Sequence, residues 1–401
     1  MIGSELPKGW DIQPLKEVVT STKGKKPKQL SELPFDNSIP YIDIKALEKD
    51  LIEQYADVES SKSFSPNDIA VVWDGARCGW VSKSKEGAIG STICALTPKN
   101  NIESNYLYYF LLEKYPIVNS KGRGVGIPHV DPTFFWDMEV PIPSPKEQKQ
   151  IAEKLDKLFD QIETIKEASN KIPELLKNFR QQVLTYAVMG KLTDSDYESW
   201  ELKTLDEIAI PKAGYAFKAT DFIDNGIQVI RMGNLYDNKL SLDRNPVFVP
   251  ENYDTDIIER SRVKRNDILL TLTGTKYKRD YGYAIKIDTD EVLLLNQRIL
   301  SLTPLIDPDY LLLVLRSDEF RNQFFEFETG GVNQGNVGVK NVMTIKLHIP
   351  SPRIQEEIVR RTKILFNILD NVERRYNILC EKLDKLPQAL LGKAFNGELA
   401  L

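Results

Sequence analysis

The sequence predicts an α+β protein of two tandem, homologous units. Each is a mixed α/β body followed by a long helix, and the two helices pack as an antiparallel coiled coil about a pseudo-twofold axis. Three observations predict this. A helical segment occurs twice at a constant offset, a short motif opening each unit also occurs twice, and the strand and helix signals between them recur in the same order.

The helical segment reads VPIPSPKEQKQI through YAVMGKLT in the first copy, and LHIPSPRIQEEI through KAFNGELA in the second. Placing Pro143 on Pro350 sets an offset of 350 − 143 = 207, which also aligns Gln148 with Gln355, Phe159 with Phe366, Ala187 with Ala394 and Gly190 with Gly397. A mostly apolar seam recurs at alternating steps of four and three through Ile151, Leu155, Leu158, Ile162, Ile165, Ser169, Ile172, Leu176, Phe179, Val183 and Tyr186. The second copy keeps the frame through Ile358, Thr362, Leu365, Leu369, Val372, Tyr376, Leu379, Leu383, Leu386 and Leu390. This is a heptad seam between charged flanks, the pattern of two helices packed on each other. Pro145 and Pro352 suit first helical turns, Gly190 and Gly397 suit stops, and Pro173 and Pro387 predict a kink or break near each. At 1.5 Å per residue such a segment is a spacer of roughly 60 Å.

The opening motif is Gly9-Trp10-Asp11-Ile12 with Leu15, Glu17 and Val18. It is answered at an offset of 190 by Ser199-Trp200-Glu201-Leu202 with Leu205, Glu207 and Ile208. The predicted organisation is a first body over 1–141, a first spacer helix over 142–194, a second body over 195–348 and a second spacer helix over 349–401. In the first body, Ile39–Ile42, Asp68–Val72 and Ala88–Leu96 read as strands and Asn105–Lys114 as a helix. In the second, Ile227–Arg231, Asp267–Leu272, Tyr283–Ile287 and Arg298–Leu302 read as strands and Pro308–Arg316 as a helix. Asn67-Asp68-Ile69 answers Asn266-Asp267-Ile268, and Leu96-Thr97-Pro98 answers Leu302-Thr303-Pro304. The two bodies therefore share a fold and differ in their loops.

Lys and Arg (53) nearly balance Asp and Glu (58), for a net charge of −5, so a polyanion-binding face must come from local clustering. The only cysteines, Cys78, Cys94 and Cys380, favour a reducing, cytoplasmic setting, and no apolar run reaches membrane-spanning length. Catalytic signals are weak. The two histidines, His129 and His348, are too few and too distant in sequence for a metal site or triad. Asp131-Pro132-Thr133-Phe134 only faintly echoes an adenine-holding methyltransferase loop, and Asp43 with Lys45 is a chance-level nuclease spacing.

The loops carry the binding signals. Lys23, Lys25, Lys26 and Lys28 lie in a Gly/Pro-containing segment, Arg77 follows a strand between Trp73 and Trp80, and Lys276, Lys278 and Arg279 alternate with tyrosines after a strand. Each body ends in a Gly-rich loop, holding Arg123 and His129 in one and Asn333, Gln334 and Asn336 in the other. Cations of this kind serve phosphates or guanine, and Arg, Asn, Gln and His serve base edges.

Unlike bodies on a common fold, each followed by a helix opening Ile-Pro-x-Pro-x-x-x-Gln and closing Ala394-Phe395-Asn396-Gly397-Glu398-Leu399, resemble the specificity subunit of type I restriction-modification systems. The resemblance covers essentially the whole chain. Two departures are Ile354, where the first copy has Glu147, and Ala187-Val188-Met189-Gly190 in place of the Ala-Phe form. The resemblance implies that each body is a target recognition domain reading one half of a bipartite, asymmetric double-stranded DNA target. It also implies that the helices set the gap and dock two methyltransferase subunits, which restriction and translocation subunits join. The chain would be non-catalytic, with S-adenosylmethionine, ATP and magnesium in the partners. Outward helix charges, Glu153, Lys157, Asp160 and Glu167 in one copy and Arg360, Arg361, Arg374 and Arg375 in the other, are the candidate partner contacts. Rival readings are a coiled-coil protein-interaction scaffold, and a self-contained nuclease or methyltransferase.

Overall fold

Asp11–Pro14 pairs antiparallel with Glu139–Ile142, and Glu201–Thr204 pairs in the same register with Lys346–Ile349. The motif that opens each unit thus pairs with the strand that leads into its Pro-x-x-x-Gln helix. Each body is held shut at the point where its helix begins. The structure is a computed structural model that describes residues 6–99, 101–124, 126–193, 195–331 and 333–399.

Inside each body lie two four-stranded sheets. The first body orders Val19–Lys23, Ile93–Pro98, Ile69–Val72 and Val81–Lys83 in one antiparallel sheet. The second repeats it with Ala209–Ala213, Ile299–Pro304, Ile268–Thr271 and Ala284–Lys286. In the other sheet of each body one pair is parallel, Tyr41–Ile42 beside Ala88–Ile89 and Gln228–Ile230 beside Leu293–Leu295. The predicted strand Ala88–Leu96 is therefore two strands in two sheets, separated by a turn at Gly90. Predicted strand ends are also corrected: Ile227–Ile230 stops before Arg231, Ile299–Pro304 starts after Arg298, and Ile69–Val72, Ile268–Thr271 and Ala284–Lys286 are each shorter by one or two residues than predicted. The first-body helix is longer than predicted, Ser104–Ser120, whereas Pro308–Arg316 is found as expected.

The repeated Asp and Thr meet across the antiparallel sheet. Asp68 is buried and accepts from Thr97 Oγ1 at 2.6 Å and Ser65 N at 2.7 Å; Asp267 is buried and accepts from Thr303 Oγ1 at 2.7 Å and Lys264 N at 2.9 Å. A buried carboxylate costs little only when its lone pairs are met, so the two residues recur together.

Pro145–Ser169 opens with a Ser144/Glu147 capping box and stops at Asn170, and Ile172–Val188 resumes with Pro173 in its first turn. The break predicted near Pro173 is present. None occurs at Pro387, because Pro352–Phe395 is one continuous helix of 44 residues, with Leu383 and Leu391 buried on either side of the missing N–H. Packing around the site outweighs the loss of one hydrogen bond.

Both helical stretches end alike. Gly190 (φ +71°) and Gly397 (φ +73°) are left-handed, and the next N–H reaches back to close the last turn, Lys191 to Tyr186 O at 2.9 Å and Glu398 to Lys393 O at 2.8 Å. This C-terminal motif favours glycine.

The chain divides into two compact units, residues 1–170 with 377–401, and residues 171–376. In the first, Ile151 and Leu155 share a core with Leu391, Ala394 and Phe395, while Lys166 lies 3.4 Å from Asp384. In the second, Leu184, Ala187 and Val188 share a core with Ile358 and Val359, while Arg180 lies 2.6 Å from Asp370 and 2.9 Å from Glu373. As numbers rise on one helix they fall on the other, so the pairing in each unit is antiparallel. The seam is narrower than a full heptad seam. Ile162, Leu176, Val183, Leu369 and Leu383 are buried, but Ile165, Phe179, Tyr186, Val372, Leu379 and Leu386 stay exposed. Two helices alone cover only a narrow stripe of each other. No helix among the described residues is long and apolar enough to cross a membrane.

Candidate nucleic-acid interface

Three chain segments of each body converge beyond its antiparallel sheet, by the same hydrogen bonds in both. In the first body Trp73 N donates to Thr92 O (2.8 Å) and Val130 N to Trp73 O (2.9 Å), while Arg123 and His129 exchange backbone bonds of 2.8 and 2.7 Å. In the second, Leu272 N donates to Arg298 O (3.1 Å) and Val337 N to Leu272 O (2.9 Å), and Thr329 exchanges bonds with Asn336 of 2.8 and 2.9 Å. The loop after the third strand, the Gly-rich loop and the turn before the last strand are thus one surface.

Among the candidates of the first body, Lys23 and His129 both hold Asp74. Lys23 Nζ donates to one carboxylate oxygen at 2.7 Å, and His129 Nδ1 lies 2.8 Å from the other. Partial burial alone would raise the Asp74 pKa, but these two hydrogen bonds outweigh it and hold the carboxyl below its usual range. Lys23 also sits 5.6 Å from the Trp73 ring, which packs on Phe135 and Trp136. Arg123 pairs with Asp131 at 2.7 Å and Arg77 pairs with Glu48. Lys25, Lys26 and Lys28 are exposed, and their side chains have no acidic partner among the described residues.

In the second body, strand Thr273–Gly274 pairs with Gly335–Asn336 and so joins the two candidate loops. Gly335 is required there, since a Cβ would meet Glu328 Oε1 and Tyr281 Oη at 2.5 Å. Lys276 donates to Gly330 O at 3.2 Å, Arg279 lies 5.0 Å from the Phe325 ring, and Lys278 projects without an acidic partner among the described residues. Between them Tyr277 is 79% exposed. Asn333, Gln334 and Asn336 are exposed on the joined loop. Cations, an exposed ring and amides therefore share one face.

Sequence reasoning missed a second cluster in this body. Arg231, Arg244 and Arg298, with Asn245, Asn296 and Gln297, line an open cavity of about 500 Å³. Two of these arginines had read as strand residues, and the third lies in a stretch with no periodic signal.

Residues weighed for catalysis have structural partners. Asp43 caps helix Ile44–Lys49 through Ala46 N (2.8 Å), Lys45 pairs with Glu53, and Asp131 caps Pro132–Trp136. His348 Nδ1 lies 2.7 Å from Tyr197 Oη. Among the described residues no group of three or more His, Cys, Asp or Glu could hold a metal. On the helices, Glu153, Lys157, Asp160, Glu167, Arg374 and Arg375 are exposed, whereas Arg360 and Arg361 grip Glu357, and Arg361 also donates to Leu192 O at 2.6 Å.

The sequence matches the family of type I restriction modification DNA specificity domains twice, over residues 7–174 and 197–379. The specificity subunit of the type I restriction enzyme MjaVIII from Methanocaldococcus jannaschii is 25% identical over 410 residues, covering 100% of this chain and 95% of that one. That of EcoKI from Escherichia coli K12 is 27% identical, covering 100% and 91%. Of solved structures, the HsdS subunit from Thermoanaerobacter tengcongensis has a TM-score of 0.70 at 15% identity, covering 99% of both chains. A chain from a type I R-M system solved to explain complex assembly reaches 0.71 at 16% identity, covering 98% of this chain and 100% of that one. At such identity the structural likeness carries the fold, two repeated bodies with long helices.

Proposed function

This chain belongs to the type I restriction-modification DNA specificity family, and from that premise we propose that each of its bodies reads one half of a bipartite, asymmetric site in double-stranded DNA. The observation that carries the reading is a shared frame with exchanged chemistry. Hydrogen bonds align Asp74 with Thr273, Arg123 with Thr329 and His129 with Asn336, so equivalent positions offer different donors and acceptors. Homologous readers with different loops demand different half-sites. Lys25, Lys26, Lys28, Lys276, Lys278 and Arg279 serve phosphates and position the duplex; His129, Asn333, Gln334 and Asn336 serve base edges.

The helices set the spacing between half-sites and dock two methyltransferase subunits, with restriction and translocation subunits joining them. Support for docking comes from the exposed seam residues Phe179 and Val372 and the neighbouring Ile364 and Ile368, an apolar surface that a further helix would cover. S-adenosylmethionine, ATP and magnesium belong to those partners, and this chain recognises without catalysing. The test is retention of mixed-sequence duplex by the purified chain with its methyltransferase subunits, measured against salt. A steep fall in affinity with salt is expected from several phosphate contacts. Absence of retention at low salt, with the partners present, rejects the reading in favour of a protein-interaction scaffold.

A further inference from the structure

We propose that the cavity walled by Arg231, Arg244 and Arg298 is where the second body reads a guanine of its half-site, at a position where the first body has no equivalent chemistry. The inference deepens, and rests on, the DNA-reading function above.

Three arginines line one concavity, and none of them has a carboxylate partner among the described residues. Like charges gathered without a counter-charge favour an electron-rich occupant. The cluster is also held in place. Asn234, 3% exposed, accepts Arg231 N at 2.9 Å through its side-chain carbonyl and donates at 2.9 Å to the carbonyls of both Ser241 and Arg244. It therefore locks the two arginine-bearing segments together. The Arg231 guanidinium is aimed by a bond to Asn245 O (2.7 Å) and lies 5.9 Å from the Phe222 ring. Arg298 is held at φ +75° and Asn245 at φ +48°, a conformation unusual for residues with side chains. Beside them, the Asn296 side-chain carbonyl is enclosed and accepts no hydrogen bond among the described residues.

Guanine is favoured over phosphate by shape. A guanidinium fork matches the paired acceptors O6 and N7 on the major-groove edge, and a recess flanked by amides accepts a planar edge. Phosphates are served by cations on projecting loops, as at Lys276, Lys278 and Arg279. The recess adjoins those loops, because the Arg298 carbonyl accepts Leu272 N just before strand Thr273–Gly274.

The first body has the same frame at this place. Gly90 N donates to Ile42 O (2.9 Å) as Asn296 N donates to Ile230 O (3.0 Å). A Cβ on Gly24 would meet Gly90 O at 2.2 Å, and one on Gly214 would meet Asn296 O at 2.0 Å. In that frame Arg231 is matched by Asp43, and Asn296-Gln297-Arg298 by Gly90-Ser91-Thr92. None of these matched positions, Asp43, Gly90, Ser91 and Thr92, carries a guanidinium to make the fork.

The test uses the full chain assembled with its methyltransferase subunits. Its methylated motif is first read by whole-genome methylation sequencing, and 7-deazaguanine, which lacks the N7 acceptor, then replaces each guanine of the second half-site in turn. About 10-fold or greater weakening at one guanine is expected, together with loss of that sensitivity in Arg298→Gln and Arg231→Lys. In cells, the same variants should relax that position of the motif and leave the first half unchanged. Full affinity for every 7-deazaguanine duplex overturns the inference while leaving DNA reading intact. So does a variant that lowers affinity equally for all sequences, the mark of a phosphate contact. The wild-type deazaguanine scan decides the matter even if a variant folds poorly. If the wild-type complex shows no sequence preference, the broader function fails first and this inference falls with it.

Discussion

The side-chain carbonyl of Gln148 accepts the backbone N–H of Glu103 at 2.8 Å, tying the start of the first spacer helix to the N-cap of helix Ser104–Ser120. The Gln148 amide nitrogen donates to Asn101 O and Pro143 O, both at 3.0 Å, and the side chain is wholly buried. Gln355 repeats the arrangement with Asp307 N at 3.1 Å and Pro350 O at 2.8 Å. This is the physical content of the repeated Pro-x-x-x-Gln motif. A body and its helix share one polar joint.

Replacing that joint should be costly. Gln148→Ala leaves one N–H and two carbonyls without partners, and roughly 2–3 kcal/mol of stability should be lost in urea unfolding. A loss under about 0.5 kcal/mol would show that water substitutes freely.

The helix-ending glycines should differ in sensitivity. Gly190→Ala and Gly397→Ala each force a side chain into left-handed backbone, for a cost of about 1 kcal/mol. At Gly397 the new Cβ would also meet Pro7 Cγ at 2.1 Å, against 3.0 Å to the nearest Trp200 atom at Gly190. Thermal melts should therefore rank Gly397→Ala as the more damaging, and the reverse order would contradict the packing at Pro7.

Acid should weaken the second unit through Asp309. Burial alone would raise its pKa, but hydrogen bonds from Lys286 and Lys363 outweigh that and hold it below the usual carboxylate range. A depressed folded pKa means the native state binds fewer protons than the unfolded chain. The stabilisation is present above the unfolded value of about 3.9 and is lost as pH falls through the lower folded one. Asp309→Asn should flatten unfolding free energy against pH in that window. An unchanged acid limb would remove Asp309 from the account.

Phe179→Asp and Ile368→Asp add charge to exposed helix positions, so each should change stability by only about 0.5 kcal/mol. If the open seam docks methyltransferase subunits, both variants should stop co-purifying with them while melting normally. Normal assembly would move docking elsewhere.

Exchanging residues 1–141 for the corresponding body of another family member should change one half of the methylated motif and keep the other. A change in both halves would contradict independent readers.

Much of the fold was legible because its signals are local or repeated. Heptad spacing, the proline before each helix and the glycine after it recur at one fixed offset, and the paired Asp68–Thr97 and Asp267–Thr303 positions recur in the same order, so each copy vouches for the other. The break at Pro173 could be read and the continuity at Pro387 could not, since the same residue type is tolerated where tertiary packing holds both flanks.

The site was less legible. Lys23 and His129 are drawn to Asp74 across 51 and 55 positions of chain, and no local pattern announces that meeting. Arg231 and Arg298 looked like strand residues, and only the true strand ends leave them lining a recess with Arg244. By itself, then, the sequence determined a duplicated chain with two bodies, two long helices and unlike loops, because periodicity and capping need only near neighbours. The tertiary structure alone decided which loops share a surface, since parallel and antiparallel pairings between distant strands choose which chain ends emerge side by side.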